Sequence, residues 1–178
     1  MSNEFVNRRN IQWFPGHMAK TLRLIEANLK NVDVVLQLLD ARIPLSSLNP
    51  ELQRLPAVKP RLDVLNKADL ADPALTKAWQ AYFRAAGAGC VAISAKQKGS
   101  AGQVRSAIEA ELRQLLERRA GKGMAGARIR VMVVGIPNVG KSTFINNFAG
   151  TTRAKAADKP GVPRGKQWVT VGNYDLLD

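Results

Sequence analysis

The residues that could do chemistry begin with Gly135, which opens the run GIPNVGKS. Gly135 and Gly140 bracket four residues, and Lys141 and Ser142 follow directly. This spacing suits a loop whose backbone N–H groups turn inward around phosphate oxygens, helped by the N-terminus of a following helix. Lys141 would neutralise the β- and γ-phosphates, and the Ser142 hydroxyl is placed to ligate Mg²⁺. Asn138, Val139, Gly140 and Thr143 complete the expected phosphate contacts. A Gly-rich turn before a helix-start lysine is the plainer reading of the same residues.

A phosphate loop does not choose the base. NKAD, residues 66 to 69, can. Guanine presents N1–H and its 2-amino group as adjacent donors, and an ionised carboxylate at Asp69 accepts both. Adenine lacks those donors and would leave Asp69 unpaired, a mismatch that rejects strongly. Asn66 can bridge the base edge and neighbouring loops, while the stem of Lys67 can lie across the base plane. SAK, residues 94 to 96, adds Ser94, the Ala95 N–H aimed at guanine O6, and Lys96 packed on the opposite face. An exposed NKxD turn would mean little alone; its weight comes from closing a buried strand, with SAK closing the next.

The elements needed to position these loops are legible in the hydrophobic pattern. Continuous apolar runs predict strands over 32–40, 61–65, 90–93 and 129–134, each too apolar to be half exposed. Helical spacing predicts helices over 18–29, 51–55, 73–86, 103–119 and from the phosphate loop to 148. Asp72 is the expected N-cap of the third, with Pro73 at N1. Residues 121–127, GKGMAGA, read as a flexible linker. Two short strands, near 167–171 and 174–177, close the chain. Alternating strands and helices argue for a three-layer α/β fold around a mainly parallel sheet, whose ligand loops gather at the strand C-termini.

The order of the motifs is unusual. In Ras-like GTPases the phosphate loop comes first and the base-reading loops last; in this chain NKAD and SAK precede GIPNVGKS. The expected architecture is therefore a P-loop NTPase fold of the Ras-like GTPase type, circularly permuted, with GKGMAGA joining the old termini. Closing nearby ends with a short loop is entropically mild. With IQWFPGHMAKT at 11–21 and LLDARIPLSS at 38–47, this order closely resembles the ribosome biogenesis GTPase A family over residues 11–178.

The resemblance implies GTP and GDP as ligands, Mg²⁺ as cofactor, and GTP hydrolysis coupled to maturation of the large ribosomal subunit, with its precursor and rRNA as partners. It implies residues 1–17 as an N-terminal arm and 18–178 as the permuted GTPase domain, incomplete at its C-terminus. An RNA-contacting C-terminal domain would lie beyond it. Asp178 matches the start of the family's DxxG and is the expected outer-sphere Mg²⁺ carboxylate. His17, the histidine of FPGH, is implied as the group that positions the attacking water; its ordinary pKa leaves it mostly neutral and able to accept. The alternative is that His17 only caps the helix from Met18. Asn138 resembles the asparagine with which potassium-stimulated GTPases hold K⁺ beside the phosphates, or is simply a polar turn residue. The chain departs from the family at Pro163, where a switch threonine is usual: proline has neither hydroxyl nor N–H. That departure motivates an alternative, a hydrolysis-poor guanine-nucleotide-gated rRNA-binding module.

Composition agrees with these expectations. Lys and Arg number 27 against 14 Asp and Glu, a net charge of +13 that favours a polyanionic partner. One Cys and one His exclude an internal disulfide and a structural zinc site; Cys90 is expected as a buried core thiol. No apolar run reaches the ~20 residues of a membrane span, and no signal-peptide core is present, so a cytoplasmic location without stable membrane association is expected.

Overall fold

The computed structural model describes residues 16–54, 58–150, 156–157 and 168–178, and within them all side chains except those at 16–19, 21, 51, 54 and 156–157. Five strands run parallel: β1 (Val34–Asp40), β2 (Arg61–Asn66), β3 (Gly89–Ala92), β4 (Ile129–Gly135) and β7 (Tyr174–Leu177). β6 (Trp168–Val171) pairs antiparallel with β7, and the two-residue β5 (Ala156–Ala157) pairs antiparallel with β6. The sheet order is β3-β2-β1-β4-β7-β6-β5. The chain builds outward from β1 to β3, then crosses back to lay β4 on the other side of β1. The direction reverses between β1 and β4, where an open α/β sheet forms its ligand crevice.

Helices cover both faces. On one, α4 (Ser100–Glu111) and α6 (Lys141–Ala149) pack Val104, Ile108, Phe144 and Phe148 against Leu36, Leu38, Val64, Val131 and Val133. On the other, α1 (Gly16–Leu29) sets Leu29 near Met132 and Val134, and α3 (Pro73–Ala85) sets Phe83 against Leu39, Leu65 and Cys90. A short α2 (Pro50–Arg54) follows the loop after β1. α3 starts as its sequence predicts: Asp72 accepts a hydrogen bond from Leu75 N at 2.8 Å, with Pro73 in the first turn. Burial pushes the Cys90 thiol up to about 12, in keeping with an inert core position.

Two expectations are corrected. The single helix over 103–119 is two, α4 and α5 (Arg113–Gly121), because Leu112 leaves helical geometry at φ −97°, ψ 8° to keep its side chain in the core. The linker is a hydrogen-bonded turn: Met124 N donates to Arg119 O at 2.9 Å and Gly123 N to Ala120 O at 3.0 Å, with Gly123 at φ 72°. Its glycines close a helix C-terminus.

The strands also bury charge that an all-apolar reading overlooks. Gln37 and Asp63 face each other across β1 and β2, and Asp63 is fully buried. Arg61 Nε lies 3.2 Å from Asp63 Oδ1, and Arg61 Nη1 donates to Gln53 Oε1 at 2.8 Å. Burial outweighs this arginine and raises the Asp63 carboxyl to about 6. Because the folded pKa lies above the unfolded value, the folded state holds the extra proton between about pH 4 and 6. Stability from this group is therefore highest at low pH and falls as pH rises through that window. We expect wild type to lose on the order of 2 kcal/mol relative to Asp63→Asn between pH 4 and 7. Parallel pH profiles of denaturant midpoints for the two proteins would refute this.

Candidate nucleotide site

The C-termini of β1, β2, β3 and β4 meet on one rim, and asparagine side chains fasten the loops that leave them. Asn66, 2% exposed at the end of β2, donates from Nδ2 to Val139 O at 3.0 Å and accepts at Oδ1 from Ala95 N at 2.9 Å. One side chain thus ties NKAD to both SAK and the phosphate loop. From the opposite side Asn147 of α6 donates to Ala95 O, to Gln97 O at 3.1 Å and to Ser100 Oγ at 3.1 Å. Ala95 is thus held at both its backbone N–H and its carbonyl. In this arrangement its N–H serves Asn66, so a guanine O6 would have to share that donor rather than meet it free.

Backbone geometry explains the residue types. Lys67 is left-handed at φ 62°, which turns the chain into a 3₁₀ turn over Ala68–Leu70 and presents Asp69 to solvent. Ala68 N donates to Ile93 O at 3.0 Å, seating that turn on the end of β3. Gly140 sits at φ 98°, and a β-carbon there would lie 2.4 Å from Asn66 Nδ2. Only glycine lets the phosphate loop approach Asn66 this closely.

These residues enclose a cavity of about 200 Å³ lined by Asn66, Lys67, Asp69, Ser94, Ala95, Lys96, Gly140 and Thr143, joined by Arg42 and Leu70. Every base-reading residue expected from sequence is on its wall. The expected phosphate end is a separate cavity of about 280 Å³, where Gly135, Lys141 and Asp178 face Leu24, Ile25 and Asn28 of α1. Lys141 Nζ is paired with the Asp178 carboxylate. Ser142 and Thr143 are exposed in the first turn of α6, Asn138 is exposed with φ 64°, and Val139 is buried beneath the loop. A larger cavity of about 500 Å³ lies between α1, α2 and the start of β2; no phosphate-loop or base-loop residue lines it.

The donor set at the phosphate end suits magnesium. Ser142 offers a hydroxyl and Asp178 a carboxylate, while no cluster of three His, Cys, Asp or Glu side chains exists among the described residues. A hard cation held chiefly by nucleotide phosphates and water needs no larger protein cage. The side chain of His17 lies outside the described residues, as does Pro163; the backbone of residue 17 is in the first turn of α1, which begins at Gly16 rather than Met18. Sequence reading missed Arg42 and Asn147. The first lay within LLDARIPLSS, a segment given no chemical role; the second is one polar residue in an otherwise ordinary helix.

Comparison with known proteins follows the same lines. Residues 130–178 match the family described as 50S ribosome-binding GTPase. Ribosome biogenesis GTPase A of Bacillus cereus is 47% identical over 169 residues, 94% of this chain and 57% of that protein. The protein of the same name from Bacillus pumilus is 45% identical, covering 94% of this chain and 60% of its own length. The crystal structure of GNP-bound YlqF from T. maritima superposes with a TM-score of 0.57 at 28% identity, over 89% of this chain and 56% of that one. The chain spans less than two thirds of the length of these relatives. Over the length it shares with them, and with NKAD and SAK ahead of GIPNVGKS, the chain is similar to the proteins named ribosome biogenesis GTPase A.

Proposed function

We propose that this chain binds GTP and GDP with Mg²⁺, hydrolyses GTP, and acts in maturation of the large ribosomal subunit. The observation that carries the reading is the fastening of NKAD, SAK and the phosphate loop to one another through Asn66. One cavity then has Asp69 on its wall, and a second has Lys141, the residue before Ser142, on its wall. Magnesium bound with the nucleotide would be held by Ser142, with Asp178 behind it, and would neutralise phosphate charge. Breaking the Lys141–Asp178 pair would leave the lysine to the phosphates and the carboxylate to water around the cation. Potassium beside Asn138 would add a further positive charge at the phosphates, the role that an arginine supplies elsewhere.

His17 is the proposed water-positioning residue. Support comes from α1, whose Leu24 and Asn28 line the phosphate-end cavity. The backbone of residue 17 lies in the first turn of the same helix, seven residues before Leu24. The net charge of +13 supports rRNA within the precursor subunit as partner, in the cytoplasm. Among the described residues no helix is long and apolar enough to cross a membrane.

The experiment is GTP turnover with and without large ribosomal subunits, for wild type and His17→Ala. Turnover raised by subunits and reduced about 10²-fold or more in the variant, with GDP affinity kept, is the expected result. Guanine-nucleotide binding with no turnover under either condition would replace this reading with the gated rRNA-binding module.

A further inference from the structure

Asp40, at the C-terminal end of β1, is 5% exposed yet carries four donors on its carboxylate. Arg42 contributes its backbone N–H at 3.0 Å, Nε at 3.0 Å and Nη2 at 2.8 Å, and Lys67 Nζ contributes the fourth at 3.2 Å. Lys67 Nζ also donates to Asn138 O in the phosphate loop at 2.9 Å. The lysine is thereby held at its tip by β1 on one side and by the phosphate loop on the other, and its stem spans the wall of the base cavity. The loop after β1 is folded to hold this geometry. Asp40 N donates to Ser47 Oγ at 2.9 Å, and Ser47 Oγ donates to Pro44 O at 3.0 Å.

We propose that Asp40 is a positioning residue of the guanine-nucleotide site: it fixes the ammonium of Lys67 so that the lysine stem forms a wall of the base pocket, and it holds Arg42 as the adjoining wall. The inference rests on the guanine-nucleotide reading above and gives LLDARIPLSS a chemical role. Hydrogen bonds from Arg42, reinforced by Lys67, hold the Asp40 carboxyl well below the usual carboxylate range, so it is ionised throughout the physiological range. Without that charge two cations, Arg42 and Lys67, would face each other with no anion between them, and Lys67 would keep only Asn138 O. The pocket wall and its link to the phosphate loop would loosen together. Asp40 itself lines neither ligand cavity, so its action on the nucleotide runs through Lys67 and Arg42.

A double-mutant cycle on the 178-residue chain tests this, with fluorescent GDP as probe and ADP as competitor. Asp40→Asn is expected to weaken GDP binding about 10-fold, and Lys67→Met comparably. The double variant should bind no more than about 3-fold more weakly than Lys67→Met alone, since Asp40 then has only Arg42 to hold. Arg42→Ala, an exposed change, should weaken GDP about 3-fold in a form that folds even where Asp40→Asn does not. That loss too should shrink in the Lys67→Met background. Additive losses in both cycles, or GDP binding unchanged by Asp40→Asn and by Arg42→Ala, would overturn the assignment while leaving guanine recognition intact. A wild-type chain that does not distinguish GDP from ADP would overturn both readings.

Discussion

Asp69→Asn is expected to bind GDP about 10²–10³-fold more weakly than wild type and to prefer xanthosine diphosphate. Asp69 stands on the 3₁₀ turn after β2, exposed and lining the base cavity. As an ionised acceptor it can take both N1–H and the 2-amino group of guanine, two charge-assisted bonds. The amide of asparagine offers one acceptor and one donor pair. Its NH₂ would oppose the 2-amino group of guanine but complement the C2 carbonyl of xanthine. The turn itself is built from Lys67, Ala68 and Ile93 backbone groups and is left untouched, so the melting temperature should not move. Competition of labelled GDP by unlabelled GDP and XDP is the measurement. An unchanged preference would remove Asp69 from the base site.

Gly140→Ala is expected to damage folding and binding together. The residue sits at φ 98°, so any β-carbon meets backbone strain of about 1–2 kcal/mol. The same β-carbon would lie 2.4 Å from Asn66 Nδ2, forcing Asn66 to move. Asn66 is buried, and its loss would leave Val139 O and Ala95 N without their partner, a further 1–3 kcal/mol or so. We expect the melting temperature to fall by roughly 6–12 °C and GDP affinity to fall by about 10²-fold. Gly99→Ala separates the two causes. Its φ is 89° but nothing lies within 4 Å of the added carbon, so it carries backbone strain without the collision. If both variants lose the same stability and Gly140→Ala still binds GDP normally, Asn66 is not the fastener of the loops.

Element type was largely local, and so was readable. A strand buried on both faces is apolar along most of its length, as β1 and β4 are. A helix N-cap writes its own signature, as Asp72 and Pro73 do. What failed was tertiary in origin: the break at Leu112 and the turn at Gly123 depend on where the core and the start of β4 lie, which helical spacing does not encode.

The sequence by itself determined that this chain carries GIPNVGKS, NKAD and SAK, and that they stand in permuted order. Spacing and donor chemistry suffice for that, since each motif is a short contiguous stretch. Only the tertiary structure decided how the motifs are joined. Asn66 reaches Val139 across 73 residues, Asn147 reaches Ala95 across 52, and Lys67 meets Asp40 across 27. These bonds exist because the parallel sheet sets β1 between β2 and β4, bringing their C-termini to one rim. Hydrogen bonds act over about 3 Å and are blind to sequence separation, so no linear pattern could announce Asp40 and Asn147 as parts of the site.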